Sequence, residues 1–161
     1  MAGRRLTKGY ASAKQENAEM PEKLGENKMR TKSVLTIADA QKMLAAAKIE
    51  AEKQKWNVTI AVVDDAGRLL LLERMDGARP QTAEVATLKA RSAAVTHRSG
   101  KVWEDTLKQR PGMVKFPDAF AVQGGVPIVH QGEVIGAVGV SGVQSHEDEQ
   151  VALAGIAALG L

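Results

Sequence analysis

The segment GAVGVSGVQSHEDEQVA, Gly136 to Ala152, gathers residue types that can do chemistry. Gly136, Gly139 and Gly142 stand three apart and lead into Ser141, His146, Glu147 and Asp148. Glycine weakens a strand unless something must approach its backbone, so the pattern suits a ligand wall or a closely packed helix. A serine nucleophile does not fit. The elbow pattern G-x-S-x-G needs glycine two residues beyond the serine, and Val143 stands there. His146 and Asp148 are also too close in sequence to act as independent triad members. An anion at the start of the following helix would meet Glu147 and Asp148, which suit capping better than phosphate binding. No Walker sequence is present.

The chain has three histidines, His97, His130 and His146, and no cysteine. No two histidines stand four apart, so spacing supports no metal-ligand set, although any one could ligate heme iron. Lys89 is the more informative charge. Its helical neighbours Val85, Ala86, Ser92 and Ala93 are small, leaving its amine to snorkel to solvent or to point into a cavity. Arg74 and Asp76, in ERMDGARP, sit where a strand gives way to a helix.

Positioning these residues requires the following elements. TIADAQKMLAAAKIEAEKQ reads as an amphipathic helix, with Thr36 and Asp39 as a capping box and Ile37, Ala40, Leu44, Ala47 and Ala51 on the buried face. Runs at 58–64 and 68–75 flank Asp65-Ala66-Gly67 and predict a hairpin. A second helix spans 80–99, started by Pro80 and stopped near Gly100. KVWEDTLKQR adds a short helix, broken at Pro111-Gly112. A short strand is expected at Phe120–Val122, then two more joined at Gln131-Gly132. Pleating of the last strand puts Val134, Gly136, Val138 and Val140 on one face and Ile135, Ala137, Gly139 and Ser141 on the other. Ser145 with Asp148 makes a second capping box, opening a terminal helix. The order α-β-β-α-β-β-β-α, with hairpin connections, predicts an α+β fold with a largely antiparallel sheet flanked by helices.

Composition narrows the class. In 161 residues aromatics are only 3%, so the core is aliphatic. No run is apolar enough to span a bilayer or act as a signal peptide, and without cysteine a soluble cytoplasmic protein is expected, with no membrane partner. The net charge of +3 is unevenly placed. Residues 1–33 hold 8 Lys/Arg against 4 Asp/Glu, and the remainder 14 against 15. Residues 1–33 thus read as a polar basic extension before a domain at 34–161. Its one aromatic, Tyr10, and its interspersed acids argue against nucleic acid.

The runs VTIAVVDDAGRLLLLERMDGARPQTAEVATLKARSAA, QGGVPIVHQGEVIGAVGVSG and EDEQVALAG resemble the GlcG/HbpS-like heme-binding family, which includes the C-terminal domains of PduO proteins. The resemblance covers about residues 34–161. It implies a five-stranded antiparallel sheet, profilin- or PAS-like, and homo-oligomers, commonly octamers, with pockets near subunit contacts. It implies a small-molecule ligand, with heme or another tetrapyrrole as the candidate cofactor. The heme histidine of PduO-type domains lies on the first helix, where this sequence has none; His97, His130, His146 or Met75 would have to serve. The carried-over pocket framework is Met75, Asp76, Gly77, Lys89, Gly124, Gly125, Pro127, Gly139, Ser141, Gly142 and Asp148. The rival expectation is a cofactor-independent lyase, isomerase or hydrolase on a small organic carboxylate. There Arg74 or Lys89 would hold the substrate and Asp148 or Glu147 would act as acid or base.

Overall fold

The computed structural model describes residues 29–161. Most of the basic arm, including Tyr10, lies outside the described residues. From residue 32 onward the chain forms one compact unit. Its elements are α1 (Ile37–Gln54), β1 (Thr59–Asp64), β2 (Leu69–Arg74), α2 (Thr82–Thr96), α3 (Gly100–Gln109), a 3-10 turn (Pro111–Lys115), β3 (Gly125–His130), β4 (Glu133–Ser141) and α4 (Ser145–Ala157).

Four antiparallel strands lie in the order β2-β1-β4-β3. The sheet therefore has four strands where five are expected. Residues Phe120–Val122 form no ladder, because their neighbourhood bonds to side chains instead. Phe120 N–H donates to Ser92 Oγ at 2.9 Å and Gln123 N–H to Glu104 Oε1 at 2.8 Å. Both expected hairpins are present. Asp64 Oδ1 accepts from Ala66 and Arg68 N–H in the first turn, and Gln131 and Gly132 both adopt positive φ in the second. The second is the two-residue arrangement that matches the strands' twist.

The sheet is covered on both faces. α1 and α4 pack on one, where Met43, Leu44, Val151 and Ala152 meet Ile60, Val62, Val138 and Val140. α2 packs on the other through Ala86, Ala90, Ala93 and Ala94 against Ala61, Val63 and Ala137. Alanine on both sides lets helix and sheet backbones approach closely. A Cβ on Gly139 would collide with Ala86 O and Ala90 N, so that glycine serves helix packing.

Four local readings need correction. Ile37 is exposed and Met43 takes its core position, although the Thr36–Asp39 capping box is present. α2 ends at Thr96, earlier than expected, because His97 turns left-handed at φ 54°; Ser99 then caps α3 through Val102 N–H. Ile135 joins the α1–α4 core instead of the α2 side, since a bulge skips it between the pairs Ile128–Gly136 and Val129–Val134. The capping box of α4 is Gln144–Glu147, not Ser145–Asp148, and this frees Asp148 to turn inward.

Candidate functional site

The structure distributes the candidate residues over three places. The first is a sealed junction at the end of β4. Lys89 comes from α2 and Asp148 from α4, helices on opposite faces of the sheet. Lys89 Nζ donates to Asp148 Oδ2 at 2.8 Å, with only 2% and 3% of the two side chains exposed. Asp148 Oδ1 accepts from Val143 N–H at 3.2 Å, which ties the β4–α4 turn to the pair. Burial holds the Asp148 carboxyl above its ordinary range, opposed by the hydrogen bond and charge of Lys89.

Backbone covers this pair. Gly124 has φ 112°, and a Cβ there would lie 2.8 Å from Asp148 Cβ and 2.9 Å from Lys89 Nζ. Gly125 lies against the α2 backbone at Lys89, and Gly142 against Asn57 and Val58. Ser141 is buried beside Thr59, its partner across the strands, and Thr59 bonds Thr82 through their hydroxyls at 2.6 Å. Lys89 therefore meets a carboxylate of its own chain, where either solvent or a cavity is expected. Among the described residues no buried side-chain polar atom lacks a partner.

The second place is a polar cleft of about 270 Å³ lined by Lys48, Glu52, Glu73, Arg74, Met75 and Asp76. Lys48 Nζ bonds Glu73 Oε1 at 2.6 Å along its wall. Gly77, at φ 84°, turns the chain against Asn57 just beyond. The third is a cleft of about 180 Å³ where His130, at the end of β3, stands beside Val34, Leu35, Ile135, Leu159 and Leu161, with Ser33 and Asp39 on its rim. His97 and His146 are exposed and line neither cleft. Pro127 lies on β3 opposite Ala137. Glu147 caps α4 by accepting from Gln144 N–H.

Sequence reasoning passed over Glu104, Gln123 and Glu149, which strap the 119–124 connection to α3 and α4. It also passed over the apolar wall around His130, whose members lie nearly 130 positions apart. Neither set has a spacing that sequence could display. Among the described residues no cluster of His, Asp or Glu could hold a metal ion, and no helix is long and apolar enough to cross a membrane.

A four-stranded antiparallel sheet between helical layers, with small surface clefts and a sealed ion pair, defines an α+β domain. The chain belongs to the HbpS-like family: the family model described as "Haem degrading protein HbpS-like" matches residues 35–157. Protein GlcG of Escherichia coli K12 is 44% identical over 114 residues, 70% of this chain and 85% of GlcG. A double mutant of HbpS from Streptomyces reticuli superposes with a TM-score of 0.78 at 33% identity, covering 89% of this chain and 99% of that one. The PduOC:heme complex superposes with a TM-score of 0.72 at 25% identity, covering 78% and 95%.

Proposed function

We propose that this protein binds a planar tetrapyrrole, heme in the first instance, at the His130 cleft. The observation that carries the reading is that His130 lines a cleft walled by Val34, Leu35, Ile135, Leu159 and Leu161. The donor set fits the group in kind: one imidazole that would ligate the iron and aliphatic side chains for a hydrophobic ring. The cleft is smaller than the roughly 300–1,000 Å³ of enclosing ligand pockets, so one chain would hold an edge of the ring. Heme held there would supply a redox-active iron with one histidine ligand. His130 would orient the ring, and Leu35, Ile135 and Leu159 would exclude water from its buried edge.

The rival, an enzyme that grips a small carboxylate through Lys89, finds less support, because Asp148 already occupies that amine. Hemin titration followed at the Soret band tests the reading. The expected result is saturation near one site per chain, weakened at least tenfold by His130→Ala and left unchanged by His97→Ala. A titration that never saturates refutes heme binding. Equal affinity in His130→Ala refutes the site.

A further inference from the structure

Gly136 opens the glycine series of β4, and its purpose differs from that of Gly139 and Gly142. A Cβ on Gly136 would collide with Leu35 Cδ1 and with Val63 O. The missing side chain leaves a socket on the strand, and Leu35 fills it from the segment that precedes α1. Ser33, Val34 and Leu35 then form one wall of the His130 cleft.

Little else among the described residues holds that segment down. Residues 32–35 belong to no helix or strand and make no backbone–backbone hydrogen bond there. Val34 is 62% exposed. Lys32 pairs with Asp65 in the β1–β2 turn, and Asp64 and Glu133 add to the attraction, but both side chains of the pair reach solvent. A segment with one apolar anchor, an exposed ion pair and no backbone bonds opens at far lower cost than the strands beneath it. With the segment seated, the cleft holds about 180 Å³, too little to take in a ring.

We propose that residues 32–35 are a strap that gates the His130 cleft. Leu35 leaves its socket on Gly136 and Lys32 leaves Asp65 to admit the edge of an apolar planar ligand, and the strap then reseats over it. This regulation rests on the His130 cleft being the ligand site. Ile135 stays with the sheet throughout, so one wall is fixed and the other moves. Entry and exit both pass through the open strap. Loosening the Lys32–Asp65 latch therefore speeds both by the same factor, which separates a gate from a residue that merely touches the ligand.

The test reads the strap first without any ligand. The chain has no cysteine, so Leu35→Cys and Val34→Cys each introduce a single thiol. In the folded chain the thiol of Leu35→Cys should react with an aromatic disulfide at least fivefold more slowly than that of Val34→Cys. Adding Lys32→Gln or Asp65→Asn should speed the Leu35→Cys reaction about two- to fivefold, the range for an exposed ion pair, and leave the Val34→Cys rate unchanged. In the otherwise unaltered chain, Lys32→Gln and Asp65→Asn should raise the hemin association and dissociation rates by that same factor, with the affinity unchanged. Equal reactivity at the two positions, or a Leu35→Cys rate indifferent to both latch variants, overturns the strap. Hemin rates that neither variant moves overturn the gating. Hemin that binds neither parent nor variant refutes the ligand reading of the cleft, whereas the thiol rates still decide the strap.

Discussion

Replacing Lys89 by Met tests the sealed ion pair most directly. With an effective dielectric of about 20, unit charges separated by the 2.8 Å between Lys89 Nζ and Asp148 Oδ2 attract by roughly 6 kcal/mol. Desolvation cancels part of that, but removing one partner strands the other charge, and breaking buried pairs costs about 3–5 kcal/mol. Lys89→Met should therefore lose that much at pH 7, read from urea unfolding, with a melting temperature lower by roughly 10 °C or more. The cost should also depend on pH. The folded Asp148 carboxyl is held above its unfolded value by burial, so the folded chain binds that proton more tightly. Its contribution favours folding at acid pH and is lost as pH rises through the folded value. Without Lys89 that value rises further. The penalty should thus be small near pH 4 and grow toward pH 8. Adding Asp148→Leu removes the stranded carboxylate and should recover most of the stability, within about 1–2 kcal/mol of the parent. A single-variant cost below about 1 kcal/mol at pH 7, or one equal at pH 4 and 8, would refute the reasoning.

Further outcomes follow from packing and buried hydroxyls. Gly139→Ala drives a methyl into the α2 backbone and should destabilise by about 3 kcal/mol; a neutral effect in thermal unfolding would mean that α2 does not lie where its alanines place it. Thr82→Val strands the buried Thr59 hydroxyl and should cost about 1–3 kcal/mol, most of it regained in Thr59→Val/Thr82→Val, as a double-mutant cycle would measure. Gly132→Ala, at φ 82° with open space around its Cβ, should cost only about 1 kcal/mol of backbone strain in the same assay.

Much of the framework was legible in the residues themselves, because short-range chemistry set it. The Thr36–Asp39 cap, the Asp64–Gly67 turn and the Gln131-Gly132 turn each involve residues at most four apart. The candidate residues Lys89 and Asp148 could be named from their types, the element order gave the α+β class, and the family runs added Gly124. Other features were decided only when the chain folded. Gln144 and Glu147 could close the α4 cap as well as Ser145 and Asp148, and the choice fell where Asp148 could reach Lys89, 59 positions away. The fifth strand failed because Ser92 and Glu104 supplied partners that a ladder would otherwise provide. One bulge at Ile135 reversed the face of a core residue. The sequence by itself determined which residues turn, cap and alternate, since those depend on neighbours along the chain. Tertiary structure decided which charges pair, which glycines admit a helix and which strand is left at the open edge. Those outcomes depend on desolvation and close contact between segments that no local spacing relates.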